Sequence, residues 1–174
     1  MRFSLVAAAA ALIVPVHQHA VAQSDMIQDV KEGADHQELA ALFASDQADR
    51  ARIARDNPAR LRREDAERRA RTRELLDAGA LTTAQDFFHA AIIFQHGTDK
   101  QDYLLAHVLA TLSAKMGRPD THWLIGTTLD RYLLAAGEDQ IFGSQRQRGA
   151  SRNFDRNLVP DQVQGLLEVP RHIE

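Results

Sequence analysis

The chain contains no cysteine, which excludes a disulfide framework, a thiol nucleophile, a thiolate zinc site and an amino-terminal lipoprotein cysteine. Aromatic residues are scarce, 6 % of 174 residues with a single Trp, so a core must be assembled mostly from Leu, Ala and Ile. Neither sign of charge dominates. Lys and Arg number 21 against 24 Asp and Glu, a formal charge of −3, which argues against a nucleic-acid partner. There is no HExxH and no pair of His three or four residues apart, so no metal is assigned, and without a nucleotide or flavin motif no cofactor is expected. Period-two alternation and internal repeats are also missing.

What is present begins with an export pattern. Arg2 supplies a short positive region, Leu5 to Val16 an apolar stretch, and Ala20-Val21-Ala22 a small-x-small site before Gln23. This reads as a signal peptide over 1–22, since the apolar run is short and broken by Pro15. Later apolar stretches are interrupted by Asp86, His89, Asp102 and Asp130, so no membrane insertion is expected after cleavage. The mature protein is expected to be periplasmic or secreted.

Residues 23–35 read as a polar, flexible lead-in. From His36 the period becomes helical: Leu39, Leu42, Phe43 and Ile53 recur at steps of three and four until Asn57-Pro58. An Arg-rich helix follows over about 59–78, with Gly79 after it. Thr82 or Thr83 is placed to cap a third helix over 84–96, which is apolar almost all round as a buried central element would be. Thr98 with Gln101 suggests a capping box for a fourth helix running to Met116. Pro119-Asp120 opens a fifth that stops at Gly137. The expectation is an all-α, compact bundle of about five helices over 36–147. A loop-rich carboxyl-terminal tail over 148–174 would hold at most one short helix, near Asp161 to Leu167.

Several polar residues fall where periodicity expects apolar ones. Asp46 and Arg50 lie inside the stripe of Leu39, Phe43 and Ile53. Asp130 lies on the line of Trp123, Thr127 and Leu134, with Arg131 beside Leu124. Each set is either an ion pair that only ties helices together or part of a site. Asp130 is expected to accept from Arg50 or His96, and Arg131 to hold Asp46 or an anionic ligand. His96 closes the central helix, about 10 Å along the axis from His89, too far for one metal. His107 is expected to face solvent, opposite Leu105, Val108 and Leu112, and Gln101 to lie within that stripe. Between Arg50 and Arg73 ten Arg meet four acids; the four-residue spacings Asp56/Arg60, Glu64/Arg68, Asp65/Arg69 and Glu67/Arg71 read as a solvated helix face.

After Gly137 comes the polar loop Glu138 to Gln145, in which Gln140, Ser144 and Gln145 surround Gly143 and can offer backbone N–H groups, amides and a hydroxyl to a ligand. No nucleophile elbow surrounds Ser144, so a Ser144–His96–Asp130 triad is disfavoured. Asp46-Gln47-x-x-Arg50, Gln95-His96 with Gln101, and Asp130-Arg131 followed by Gly137, Gln140 and Gly143-Ser144-Gln145 together resemble a bacterial family of uncharacterised proteins, domain of unknown function 6624. The resemblance spans about residues 38–145. Where that family's pattern ends in Tyr-Gly-Thr-Gln, this chain has Phe142-Gly143-Ser144-Gln145. The resemblance implies a domain boundary and a set of positions, not a mechanism.

Two readings follow. In the first, a polar cleft binds a small polar molecule or peptide through Asp46, Gln47, Arg50, Gln101, Arg131, Gln140, Ser144 and Gln145. If it is catalytic, it acts as a hydrolase with His96 or Asp130 as base and the Gly143-Ser144-Gln145 backbone as oxyanion donor. In the second, the same residues form a satisfied buried network in a non-catalytic structural or partner-binding module. Spacing within single helices leaves open which reading holds, and leaves the oligomeric state open too.

Overall fold

A computed structural model describes residues 33–52 and 57–145. The stretch 1–22 read as a signal peptide, most of the expected lead-in, Ile53, and the tail in which one short helix is expected lie outside the described residues. Within them the chain is all-α, and the five helices are α1 Gln37–Arg52, α2 Pro58–Asp77, α3 Ala84–Gln95, α4 Lys100–Lys115 and α5 His122–Ala136. A 3-10 turn, Pro119–Thr121, leads into α5.

The boundaries follow local chemistry. The Asn57 side chain accepts from Arg60 N at 3.0 Å, with Pro58 at a position that needs no N–H donor. Thr83 and Asp86 form a reciprocal capping box at the start of α3. Asp86 also accepts from His36 N at 2.8 Å, tying the entry of α1 to that of α3. For α4 the cap is Asp99, not the expected Thr98: its carboxylate accepts from the N–H groups of Gln101 and Asp102. An aspartate charge complements a helix amino end better than a hydroxyl does. At the end of α5, Gly137 has φ 85°, and Glu138 N reaches back to Leu133 O at 2.9 Å. This left-handed exit turns the chain into the Glu138–Gln145 loop.

α3 is the central element, buried continuously from His89 to Gln95. It packs most extensively on α4, and α4 on α5. Ala90 and Ala91 of α3 and Ala106 and Ala110 of α4 are fully buried, and such small side chains let two helix backbones approach closely. Leu39, Leu75, Leu81, Ile93, Leu109 and Leu124 complete the core, each large aliphatic side chain contributing about 1.5–3 kcal/mol on burial. The buried face of α4 differs from the expected stripe. Ala106, Leu109, Ala110 and Ser113 face inward, while Val108 is 53 % exposed. His107 turns toward α5, its Nδ1 3.1 Å from Ile125 O, so it is not the solvent-facing residue the spacing predicts.

A Cβ at Gly137 would meet nothing within 4 Å, so Gly137→Ala tests conformation alone. It is expected to lower the unfolding free energy by about 1–2 kcal/mol in chemical denaturation. An unchanged midpoint would show that the exit of α5 is not held left-handed.

Candidate functional site

Two polar clusters lie on this scaffold. The first gathers the carboxyl-terminal half of α1, the middle of α2 and the end of α3. Asp46 is fully buried, and its Oδ1 lies 3.3 Å from Arg50 Nη2 and 3.1 Å from His96 Nδ1. Gln47 Nε2 donates to Asp46 Oδ2 at 2.8 Å. Arg50 is shared: Nη2 donates to Asp65 Oδ2 at 2.8 Å, and Nε donates to His96 Nδ1 at 3.0 Å. Arg68 is buried and donates to Asp65, Asp49 and Ser45. Its Nε lies 3.8 Å from Asp46 Oδ1.

The Arg-rich helix is therefore not merely a solvated face. Arg60 does pair along the helix with Glu64, but Arg68 and Arg69 cross to other helices. The buried stripe of α2 is Leu61, Asp65, Arg68, Thr72 and Leu75. Its steps of four and three are the same signal that singles out Asp46 and Arg50, concealed by a charged run in which acids and bases also stand four apart.

His96 caps α3, and its backbone is pinned. Arg69 Nη1 donates to His96 O at 3.0 Å, while Arg69 Nε pairs with Asp102 at 3.1 Å. Tyr103 Oη donates to Gly97 O at 2.9 Å. Arg131 Nη1 donates to Gln95 O at 2.9 Å, so it anchors the end of α3 instead of pairing with Asp46. The His96 side chain is 11 % exposed and that of Arg50 28 %.

The electrostatics follow from this enclosure. Burial pushes the His96 pKa down from its ordinary 6.5; the hydrogen bond and charge of Asp46 oppose this, and the charges of Arg50 and Arg131 add to it. Burial thus favours the uncharged ring over the imidazolium. For Asp46, burial pushes the pKa up, but the hydrogen bond with His96 and the charges of His96, Arg50 and Arg68 outweigh it and hold the carboxyl below its ordinary value.

The second cluster is a loop folded over one carboxylate. Asp130 is fully buried. Its Oδ1 accepts from Ile141 N and Phe142 N at 2.8 and 2.9 Å, and its Oδ2 from Ser144 N and Oγ, both at 2.8 Å. Gln140 is buried and pairs with Gln145 at both main-chain atoms, accepting from its N at 2.8 Å and donating to its O at 3.2 Å. Gln145 Nε2 in turn donates to Ser144 Oγ. Asp130 thus takes its donors from the loop and not from Arg50 or His96 as expected. Of the expected oxyanion donors, the Ser144 N–H points at this carboxylate and the Gln145 N–H at Gln140 Oε1, which leaves both unsuited to stabilising an oxyanion. Gln101 is exposed on the first turn of α4.

Elsewhere, a shallow depression of about 380 Å³, lined by Asp35, Thr83, Gln85 and Arg118 among others, lies at the opposite end of α3 from His96. Among the described residues no group of three or more His, Cys, Asp or Glu is arranged to hold a metal ion. No helix there is long and apolar enough to cross a membrane. No family model, curated protein or solved structure matches the chain.

Asp130→Asn replaces an acceptor-only carboxylate by an amide whose NH₂ must face a donor. It is expected to cost about 2–3 kcal/mol in thermal or chemical unfolding, and a neutral result would show that the loop does not depend on the carboxylate. The lowered His96 pKa also fixes a sign. Between pH 6.5 and the lower native value the unfolded chain binds more protons, so stability is full above 6.5 and is lost as pH falls through the native value. The unfolding midpoint of His96→Gln is expected to depend less on pH over that window than that of the parent.

Proposed function

We propose that this is an exported helical domain, a member of the family that its motifs resemble, which binds a small polar molecule or peptide at the Asp46–Arg50–His96 centre. One observation carries the reading. His96 Nδ1 has two partners that need opposite states of the same atom: Arg50 Nε–H requires a lone pair there, and Asp46 Oδ1 requires a proton. A network kept only for packing settles into mutual satisfaction. A ring nitrogen held between a donor and an acceptor has instead the arrangement of a group that handles a proton or a polar ligand. Export is supported by the amino-terminal pattern of Arg2, an apolar stretch and Ala20-Val21-Ala22.

If the domain acts on its ligand, hydrolysis with His96 as base is the favoured chemistry. In the tautomer that gives Nδ1–H to Asp46, His96 Nε2 is the basic atom and Asp46 the orienting carboxylate; in the other, Nδ1 accepts from Arg50 Nε and Nε2 carries the proton. Asp46 then takes the part that the sequence offered to Asp130, whose oxygens are committed to the loop. The second reading, a non-catalytic module, is favoured by Arg68, which joins Asp49 and Ser45 of α1 to Asp65 of its own helix.

His96→Gln separates the two. On the binding reading the variant unfolds within about 1 kcal/mol of the parent, and compounds from a panel of small polar molecules and short peptides that raise the melting temperature of the parent no longer raise that of the variant. A melting loss as large as that of Asp130→Asn, with no compound shifting the parent, would establish the network as scaffold.

A further inference from the structure

Resting on that reading of the His96 centre, we infer that its ligand is an anion, taken up together with a proton that His96 Nδ1 receives and whose arrival turns Arg50 Nε–H toward the ligand. Two groups compete for one atom. As placed, Arg50 Nε donates to His96 Nδ1 at 3.0 Å, so Nδ1 carries a lone pair and the neutral ring has its proton on Nε2. Asp46 Oδ1, 3.1 Å from the same nitrogen, then sets its own lone pair against that of Nδ1. A proton arriving at Nδ1 converts that contact into a charge-assisted hydrogen bond to Asp46 and at the same moment deprives Arg50 Nε–H of its acceptor.

Arg50 does not drift away when this happens. Its Nη2 stays on Asp65 at 2.8 Å, so the guanidinium is presented from a fixed anchor with one donor newly available. It is also a part of the centre that solvent reaches, 28 % exposed against 1 % for Asp46 and 8 % for Asp65. An oxygen of a carboxylate, sulfate or phosphate is the acceptor such a donor selects.

Charge balance points the same way. The groups acting directly on the ring are Asp46 and Arg50 from α1 and Arg131 from α5. Behind them α2 supplies Asp65, Arg68 and Arg69, with Asp49 of α1 on Arg68 and Asp102 of α4 on Arg69. Within this set carboxylates already face guanidinium groups while His96 is neutral. A proton on His96 adds one positive charge in a largely dehydrated setting, a cost that a bound anion lowers. Proton and anion therefore favour each other's binding by the same factor.

The test uses the full chain with sulfate, whose charge is constant between pH 5.5 and 7.5, and acetate, used only above about pH 6.5 where it is almost wholly ionised, as probes. Calorimetry in buffers of different ionisation enthalpy is expected to find uptake of up to one proton per anion, with affinity falling by up to about tenfold per pH unit as pH rises. In His96→Gln both effects disappear, and Arg50→Gln does not bind. Without any anion, the Arg50 Nε resonance is expected to move with the His96 titration. Anion binding with no proton uptake, or an Arg50 Nε signal that ignores the titration, overturns the coupling and leaves the ligand site standing. Failure of both anions in a chain that still binds a neutral polar compound through His96 overturns the anion assignment alone. Failure of every ligand, with His96→Gln as unstable as Asp130→Asn, removes the site itself.

Discussion

A charge buried inside a helical bundle has to be met by donors, and the requirement fixes how the helices come together. Asp46 sits in the apolar stripe of α1 and is withdrawn from water, where an unpaired carboxylate is prohibitively costly. No single helix can surround it. α1 supplies Gln47 and Arg50, α2 brings Arg68 alongside, and α3 ends where His96 reaches it. The register of α1 against α2 and α3 is therefore set by an acid as well as by Leu39 and its apolar neighbours. Hydrophobic burial supplies the drive to collapse, and the carboxylate selects which of the collapsed arrangements is satisfied.

Holding His96 takes more than Asp46. The ring hangs from the last turn of α3, where free carbonyls are expected. Here they are occupied from outside the helix: Arg131 of α5 donates to Gln95 O, Arg69 of α2 to His96 O, and Tyr103 of α4 to Gly97 O. Three different helices close on three successive carbonyls. Gly97 permits the approach, since a Cβ there would overlap the Asp102 side chain that holds Arg69. The ring nitrogen is thus positioned by main-chain anchors independent of the contacts it makes, which lets those contacts change without moving the residue.

What could be read in the sequence divides along the same line. Helix boundaries and the central place of α3 were legible, because caps, glycine exits and the 3.6-residue period are local. Asp46, Arg50 and Asp130 stood out because each breaks its own helix's apolar stripe. Asp65 and Arg68 carried the same signal, set between Leu61 and Leu75, but a run of charges with acids and bases four apart offers a self-contained explanation that hides cross-helix pairing. The face of α4 was misjudged for a different reason. Hydrophobicity favoured Leu105 and Val108; Leu105 does pack at the edge of the core, but the fully buried positions facing α3 are the small Ala106 and Ala110, and Val108 is exposed. That Asp130 would be claimed by its own downstream loop, and not by His96, lies beyond what periodicity carries.

The two buried aspartates show why similar burial leads to different uses. Asp130 is surrounded largely by backbone N–H groups, with the Ser144 hydroxyl the single side-chain donor. Backbone donors have one protonation state and move only if the chain moves, so this carboxylate is bound to a single geometry and serves to fix the 138–145 loop. Asp46 is surrounded by side chains, and one of its partners, the His96 ring, can gain or lose a proton. The hydrogen bonds around Asp46 can be redistributed by a single proton without unfolding a turn. A site that must respond to a ligand needs the second kind of carboxylate and is best mounted on a frame secured by the first.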